Sequence, residues 1–123
     1  MADILVIDDN QHVRRLVERI LTAAGHTVTE AQGGSEGLAA FRRAPPAMVI
    51  TDIVMEYGEG IETIRALRRE APAMPILAMS GSGTHYLYAA GRPGASATIE
   101  KPFRLHELTT TVNRLLGETT ANW

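Results

Sequence analysis

Apolar positions along the chain follow two alternating rhythms. Short runs rich in β-branched residues or alanine, at Asp3–Ile7, Thr27–Ala31, Met48–Asp52, Pro75–Ser80 and Ala95–Ile99, are separated by longer stretches in which apolar residues recur every three or four positions. Side chains alternate across a strand with a period of two and return to one face of a helix about every 3.6 residues, so the short runs predict strands and the longer stretches helices. Parallel strands need a crossover between them, and strand-helix alternation supplies one each time. The fold class expected is α/β, a (βα)5 chain forming a doubly wound five-stranded parallel sheet.

The first helix shows Val13, Leu16, Val17, Ile20, Leu21 and Ala24, the stripe of a helix with one buried face, with Asn10 suited to its N-cap and Gly25 to its stop. A second helix is expected from Ser35, burying Leu38 and Phe41 and ending before Pro45-Pro46, which cannot continue it. A third uses Ile61, Ile64 and Leu67, and the last uses Leu105, Leu108, Val112, Leu115 and Leu116. Between Gly83 and Pro93 the pattern is short: Thr84–Ala90 allows about two helical turns before Gly91 and Pro93 interrupt it.

A length of 123 residues suits one domain, residues 1–123, with Glu118–Trp123 expected to fray. The formal net charge of −2 gives no electrostatic reason to expect nucleic-acid or membrane-surface binding. Cysteine is absent, which excludes disulfides, thiolate metal sites and a cysteine nucleophile. The N-terminal MADILVIDDN has an apolar run too short for a secretory signal and far short of the roughly 20 residues that span a bilayer, so cytoplasmic residence is the default expectation.

In an open parallel sheet, ligands bind where the chain leaves the carboxyl ends of the strands. The first strand ends in Asp8-Asp9, the third in Asp52 and the fourth in Ser80, and the fifth runs through Glu100 into Lys101-Pro102-Phe103. If these four strands are neighbours, three carboxylates, a hydroxyl and an ammonium converge. At ~4 Å each carboxylate pair repels by roughly 1 kcal/mol in water and about 4 kcal/mol at an effective dielectric near 20. A hard divalent cation offsets this, and Mg²⁺, with Mn²⁺ as a substitute, suits one or two direct carboxylates plus a phosphate oxygen. A carboxylate flanked by a metal and a lysine is a fit nucleophile towards phosphorus, since the acyl phosphate it forms is neutralised from two sides.

Each residue taken alone also has a plainer reading. Asp8-Asp9 could cap the first helix, Ser80 could be a turn residue, and Lys101 could be a solvated strand end. His12, His26, His85 and His106 fall on separate elements without metal-ligand spacing and read as surface residues. Arg14-Arg15, Arg42-Arg43 and Arg68-Arg69 read as solvated helix faces. Met48, Met55, Met74 and Met79 read as packing residues.

Val6-Ile7-Asp8-Asp9, then Met48 through Met55 with Gly60 eight residues beyond Asp52, then Leu77-Ala78-Met79-Ser80-Gly81, Gly94-Ala95 and Lys101-Pro102-Phe103 together resemble the response-regulator receiver family in order and spacing. The resemblance covers nearly the whole chain and is closest to stand-alone, chemotaxis-type receivers. It implies a flavodoxin-like sheet with strand order 2-1-3-4-5 and Asp52 as phosphoacceptor. It also implies Asp9 as a direct Mg²⁺ ligand, Asp8 reaching the metal through water, the Val54 backbone carbonyl as a further ligand, Ser80 as the switch hydroxyl and Lys101 as the phosphate-binding ammonium, aimed by a cis Lys101-Pro102 bond. Two positions depart from the family pattern: Thr98 stands where an aromatic switch residue is usual, and Glu56 where proline is usual. Both bear on signal readout rather than on phosphorylation.

The function implied is that of a phosphorylatable receiver in a two-component phosphorelay, a signalling protein rather than an enzyme. Its partners would be a sensor histidine kinase or histidine phosphotransfer protein and a downstream protein, with the receiver a monomer or weak dimer. A Mg²⁺-dependent phosphohydrolase is the alternative from another class. It would want a second aspartate two residues past the nucleophile, where this chain has Val54. A receiver fold serving only as a binding module is the third reading, and the full set Asp8, Asp9, Asp52, Ser80 and Lys101 speaks against it.

Overall fold

The apolar runs form one parallel sheet in the computed structural model, which describes residues 1–53, 59–81 and 94–117. The strands are β1 (Asp3–Ile7), β2 (Thr27–Ala31), β3 (Met48–Asp52), β4 (Ile76–Ser80) and β5 (Ala97–Glu100), in the spatial order β2-β1-β3-β4-β5. The helices are α1 (Gln11–Ala23), α2 (Gly34–Arg43), α3 (Glu59–Glu70) and α4 (Leu105–Leu116). Both the class and the strand order agree with the sequence-based expectation. The short helix expected within Thr84–Ala90, the tail Glu118–Trp123, Met55, Glu56 and His85 lie outside the described residues.

The central strands are buried on both faces, and among the described residues helices pack on each face. Leu5, Ile7, Val49, Ile76 and Ala78 pack with Ala40 and Phe41 of α2 and Ile64 and Leu67 of α3. Ile4, Val6, Met48, Ile50, Leu77 and Met79 pack on the other side with Val17, Ile20 and Leu21 of α1 and Leu108 and Val112 of α4. Alternation along each strand therefore feeds two separate cores.

Asn10 caps α1 as expected, its side chain accepting from the His12 and Val13 N–H groups at 2.9 and 3.2 Å, and Gly25 follows the helix at φ 97°. Capping therefore does not account for Asp8-Asp9. Two leucines depart from the expected stripes. Leu16 is 50% exposed, since it is rotated about 100° from buried Val17, and Leu105 is 62% exposed because it opens α4 before the helix settles on the sheet. Met48 and Met79 are core residues, as expected, and Met74 packs against the core.

Three polar residues read from the sequence as surface groups hold the fold together instead. Arg14 is buried (7% exposed), and its contacts belong to the site described below. Arg68 gathers backbone carbonyls at the far end of the sheet: Nη1 donates to Ala71, Pro72 and Met74 at 3.0, 2.9 and 2.7 Å, and Nε and Nη2 donate to Gly94 at 2.9 and 2.8 Å. Gly94, at φ 118°, leaves room for it, since a Cβ there would lie 2.9 Å from the Arg68 Cγ. On the surface, Arg42 of α2 pairs with Glu70 of α3, and its hydrogen bond holds the Glu70 carboxyl below the usual range. Their contribution is present above the ordinary carboxylate pKa and is lost as acid protonates Glu70 below it.

His26 is 5% exposed in the turn entering β2. Its Nδ1 accepts the Ala2 N–H at 3.1 Å while its backbone N–H donates to the Leu21 carbonyl at 3.0 Å, tying the start of β1 to the end of α1. His26→Ala leaves the Ala2 N–H without that acceptor and opens a void, so thermal or urea melting should show a loss of about 1–3 kcal/mol. His12→Ala, on the exposed face of α1, is expected to melt like the parent.

Candidate functional site

Every strand of a parallel sheet points its carboxyl end the same way, so the residues that leave β1, β3, β4 and β5 gather along one edge. β3 lies between β1 and β4, which puts Asp52 at the centre, with Asp8 beyond the end of β1 on one side and Ser80 at the end of β4 on the other. Lys101 follows β5 at the outer side. Asp8, Asp52 and Ser80 are all buried, whereas Asp9 is exposed.

A carboxylate without solvent must be compensated by hydrogen bonds and opposite charge. Asp8 has both: Oδ1 accepts the Asn10 N–H at 2.8 Å, and Oδ2 accepts from the Lys101 Nζ at 3.1 Å. The same Nζ lies 3.4 Å from Oδ2 of Asp52, so one ammonium is shared by two carboxylates. Oxygen atoms of Asp8, Asp9 and Asp52 all lie within 4.8 Å of one another. Among the described residues three carboxylates gather beside one lysine, and this set of hard anionic oxygens fits a divalent cation of the Mg²⁺ kind.

Backbone contacts hold these residues in place. The Ile53 N–H donates to the Met79 carbonyl at 3.0 Å and the Lys101 N–H to the Ser80 carbonyl at 2.6 Å, tying the exits of β3, β4 and β5 together. The Lys101-Pro102 peptide bond is cis, as expected. Gly60, noted in the sequence only for its spacing, packs its Cα side against the Asp52–Ile53 peptide. A Cβ there would lie 2.5 Å from the Asp52 carbonyl oxygen, the Ile53 Cα and the Ile53 carbonyl oxygen.

Of the residues singled out from the sequence, Asp8, Asp9, Asp52 and Lys101 therefore meet, and Ser80 ends the strand beside Asp52. Thr98 is half-buried on β5 opposite Ala78, while Glu100 stands opposite Ser80. Val54 lies outside the described residues. Sequence reasoning missed Arg14, whose Nη1 donates to the Asp8 carbonyl at 2.7 Å and whose Nε meets Glu30 Oε1 at 2.9 Å. The signal was present: Arg14, Val17 and Leu21 share the i, i+3, i+7 spacing of one helix face.

The family model for the response regulator receiver domain matches residues 4–113. The response regulator MprA of Mycolicibacterium vanbaalenii is 36% identical over 118 residues, covering 95% of this chain and 51% of that protein. The DNA-binding transcriptional regulator NtrC of Salmonella typhimurium is 30% identical over 113 residues, 91% of this chain and 24% of that protein. The chain thus spans about half the length, or less, of these curated relatives. Among solved structures, the receiver domain of NtrX from Brucella abortus superposes with a TM-score of 0.89 at 33% identity, covering 94% of this chain and 98% of that one. The chemotaxis response regulator CheY4 of Vibrio cholerae gives 0.86 at 30% identity, with 94% and 98% covered.

The geometry has two measurable consequences. Gly60→Ala forces backbone apart beside Asp52 and should cost about 1–3 kcal/mol in denaturant unfolding, with no relief from repacking because the obstructing atoms are main chain. Asp9→Asn removes one of three mutually repelling charges, so the metal-free variant should melt higher than the parent by roughly 4 °C, equivalent to about 1 kcal/mol. Millimolar Mg²⁺ should raise the melting temperature of the parent and raise that of Asp9→Asn less. A parent indifferent to Mg²⁺ would contradict the metal site.

Proposed function

The chain belongs to the response-regulator receiver family, and from that premise we propose that it is the phosphoacceptor of a two-component phosphorelay, with Asp52 as the residue phosphorylated. The observation that carries this reading is the sharing of the Lys101 ammonium between Asp8 and Asp52, at 3.1 and 3.4 Å, beside a third carboxylate. A phosphoryl donor meets one nucleophilic carboxylate already paired with a cation, in a site with oxygen ligands to spare for another.

In this reading the donor is a phosphohistidine on a sensor kinase or phosphotransfer protein. An Asp52 carboxylate oxygen attacks phosphorus, the P–N bond breaks and the imidazole leaves with its electron pair. Asp9 and Asp52 would hold Mg²⁺ directly, with Asp8 reaching it through water and the Val54 carbonyl as a further ligand as the family implies, and the cation would supply charge neutralisation to the phosphoryl oxygens. Lys101 stabilises the phosphoryl group with its ammonium, which Asp8 keeps in place. The Ser80 hydroxyl ends β4 next to β3 and is suited to donate to a phosphoryl oxygen.

Output then runs through the face that carries Ser80 and Thr98, with a protein contact or onward phosphotransfer as the signal. Threonine at position 98 has no ring to swing into space left by Ser80, so readout relies on backbone and hydroxyl movement rather than on an aromatic rotamer. Cytoplasmic residence accords with this role. Among the described residues no helix is long and apolar enough to cross a membrane.

An acyl phosphate of small size, such as acetyl phosphate, should add one phosphoryl group to the protein in Mg²⁺ or Mn²⁺ and none in excess chelator. Intact-mass spectrometry reads this directly. Asp52→Asn should abolish the adduct, and Lys101→Met should reduce its rate by at least tenfold, about 1.4 kcal/mol in the barrier. Equal labelling with chelator present, or an adduct that survives Asp52→Asn, would overturn the assignment.

A further inference from the structure

Asp9 differs from its two neighbours in how it is held. Asp8 and Asp52 are buried and share Lys101, but Asp9 is exposed and, among the described residues, no hydrogen bond fixes its carboxylate. Its placement falls to the backbone. The carbonyl of Asp8 and the N–H of Asp9 belong to one planar peptide group, so whatever orients that carbonyl also orients the Cα that carries the Asp9 side chain.

One contact fixes Asp8 through its preceding peptide group, and a second orients the carbonyl itself. The Asp8 N–H donates to the Ala31 carbonyl at 3.1 Å, extending the β1–β2 ladder by one residue, and the Arg14 Nη1 donates to the Asp8 carbonyl at 2.7 Å. The Arg14 side chain is 8% exposed, and its guanidinium is turned towards the carbonyl by Glu30 of β2, whose Oε1 takes its Nε at 2.9 Å. A planar fork held at one edge by a carboxylate presents its remaining donors in a fixed direction, which an ammonium on a flexible stem does not. Glu30 also balances the charge of Arg14, so the pair adds geometry to the site without adding net charge.

We infer that Arg14 is a positioning residue for the cation site: through the Asp8 carbonyl it sets the peptide group that places Asp9, with Glu30 holding the guanidinium in register. The inference rests on the reading that Asp8, Asp9 and Asp52 hold a divalent cation. It differs in sign from a simple charge effect. Loss of a nearby positive charge alone would tighten cation binding, whereas loss of positioning loosens it.

The test is the dissociation constant of Mn²⁺, with no phosphoryl donor present, measured by electron paramagnetic resonance of free Mn²⁺ on the parent and on three variants. Arg14→Met/Glu30→Met removes the pair without changing net charge and should raise the constant about tenfold. Arg14→Lys keeps a cation but loses the fork, should raise it about threefold, and carries the test if the double variant fails to fold. His26→Ala, destabilised at the opposite end of the sheet, should leave the constant unchanged. Unchanged or tighter Mn²⁺ binding in the Arg14 variants would overturn the inference while leaving the metal site standing. An equal loosening in His26→Ala would also overturn it, by showing that general destabilisation accounts for the effect. A parent that binds no Mn²⁺ would remove the metal reading and the inference together.

Discussion

Asp8 has no exposed surface, and its charge must therefore be met inside the protein. The cation that meets it comes from 93 residues away in the chain, at the exit of the last strand, and is shared with Asp52. This contact depends on β5 docking on β4, on β4 docking on β3, and on the Ser80 carbonyl accepting from Lys101. Charge balance at the site and completion of the sheet are thus one condition. A chain that failed to place its last strand would leave Asp8 buried without the Lys101 ammonium.

Among the described residues, one ammonium stands among three carboxylates, which leaves a surplus of negative charge. That surplus is what suits the edge to a divalent cation and then to a phosphoryl group, each arriving to offset what the other brings. Much of the supporting work is done by the main chain. Gly60 lets α3 lie against the Asp52–Ile53 peptide, and main-chain hydrogen bonds tie the strand exits together. At the other end of the sheet His26 and Arg68 fasten turns to backbone, so the edge that carries the chemistry projects from anchored elements.

Much of this was legible in the chain itself, and the reasons are local. Runs such as Met48–Ile50 and Ile76–Met79 are apolar throughout, a pattern that only a strand covered on both faces requires, and their alternation with helical stripes specifies a parallel sheet. Asn10 and Gly25 mark the ends of α1 by chemistry that acts within a few residues. Asp8, Asp9, Asp52, Ser80 and Lys101 could be named because parallel strands deliver their exits to one edge, whatever the details of packing. Leu16 and Leu105 were misread because membership of an apolar stripe does not say which of its positions reach the core.

What only the tertiary structure decided are the contacts made by polar residues across the chain. A histidine before a strand and an arginine in a basic pair look solvated in sequence, yet His26 accepts an N–H from Ala2 and Arg14 reaches the Asp8 carbonyl, because neighbouring elements leave those backbone groups facing them. The need for glycine at position 60 likewise arises from a main chain brought against it by folding. Periodicity and capping are short-range and can be read along the chain. The partner of a buried charge is set by which strands lie side by side, and Lys101 acquires two carboxylates only once β1, β3, β4 and β5 stand in that order.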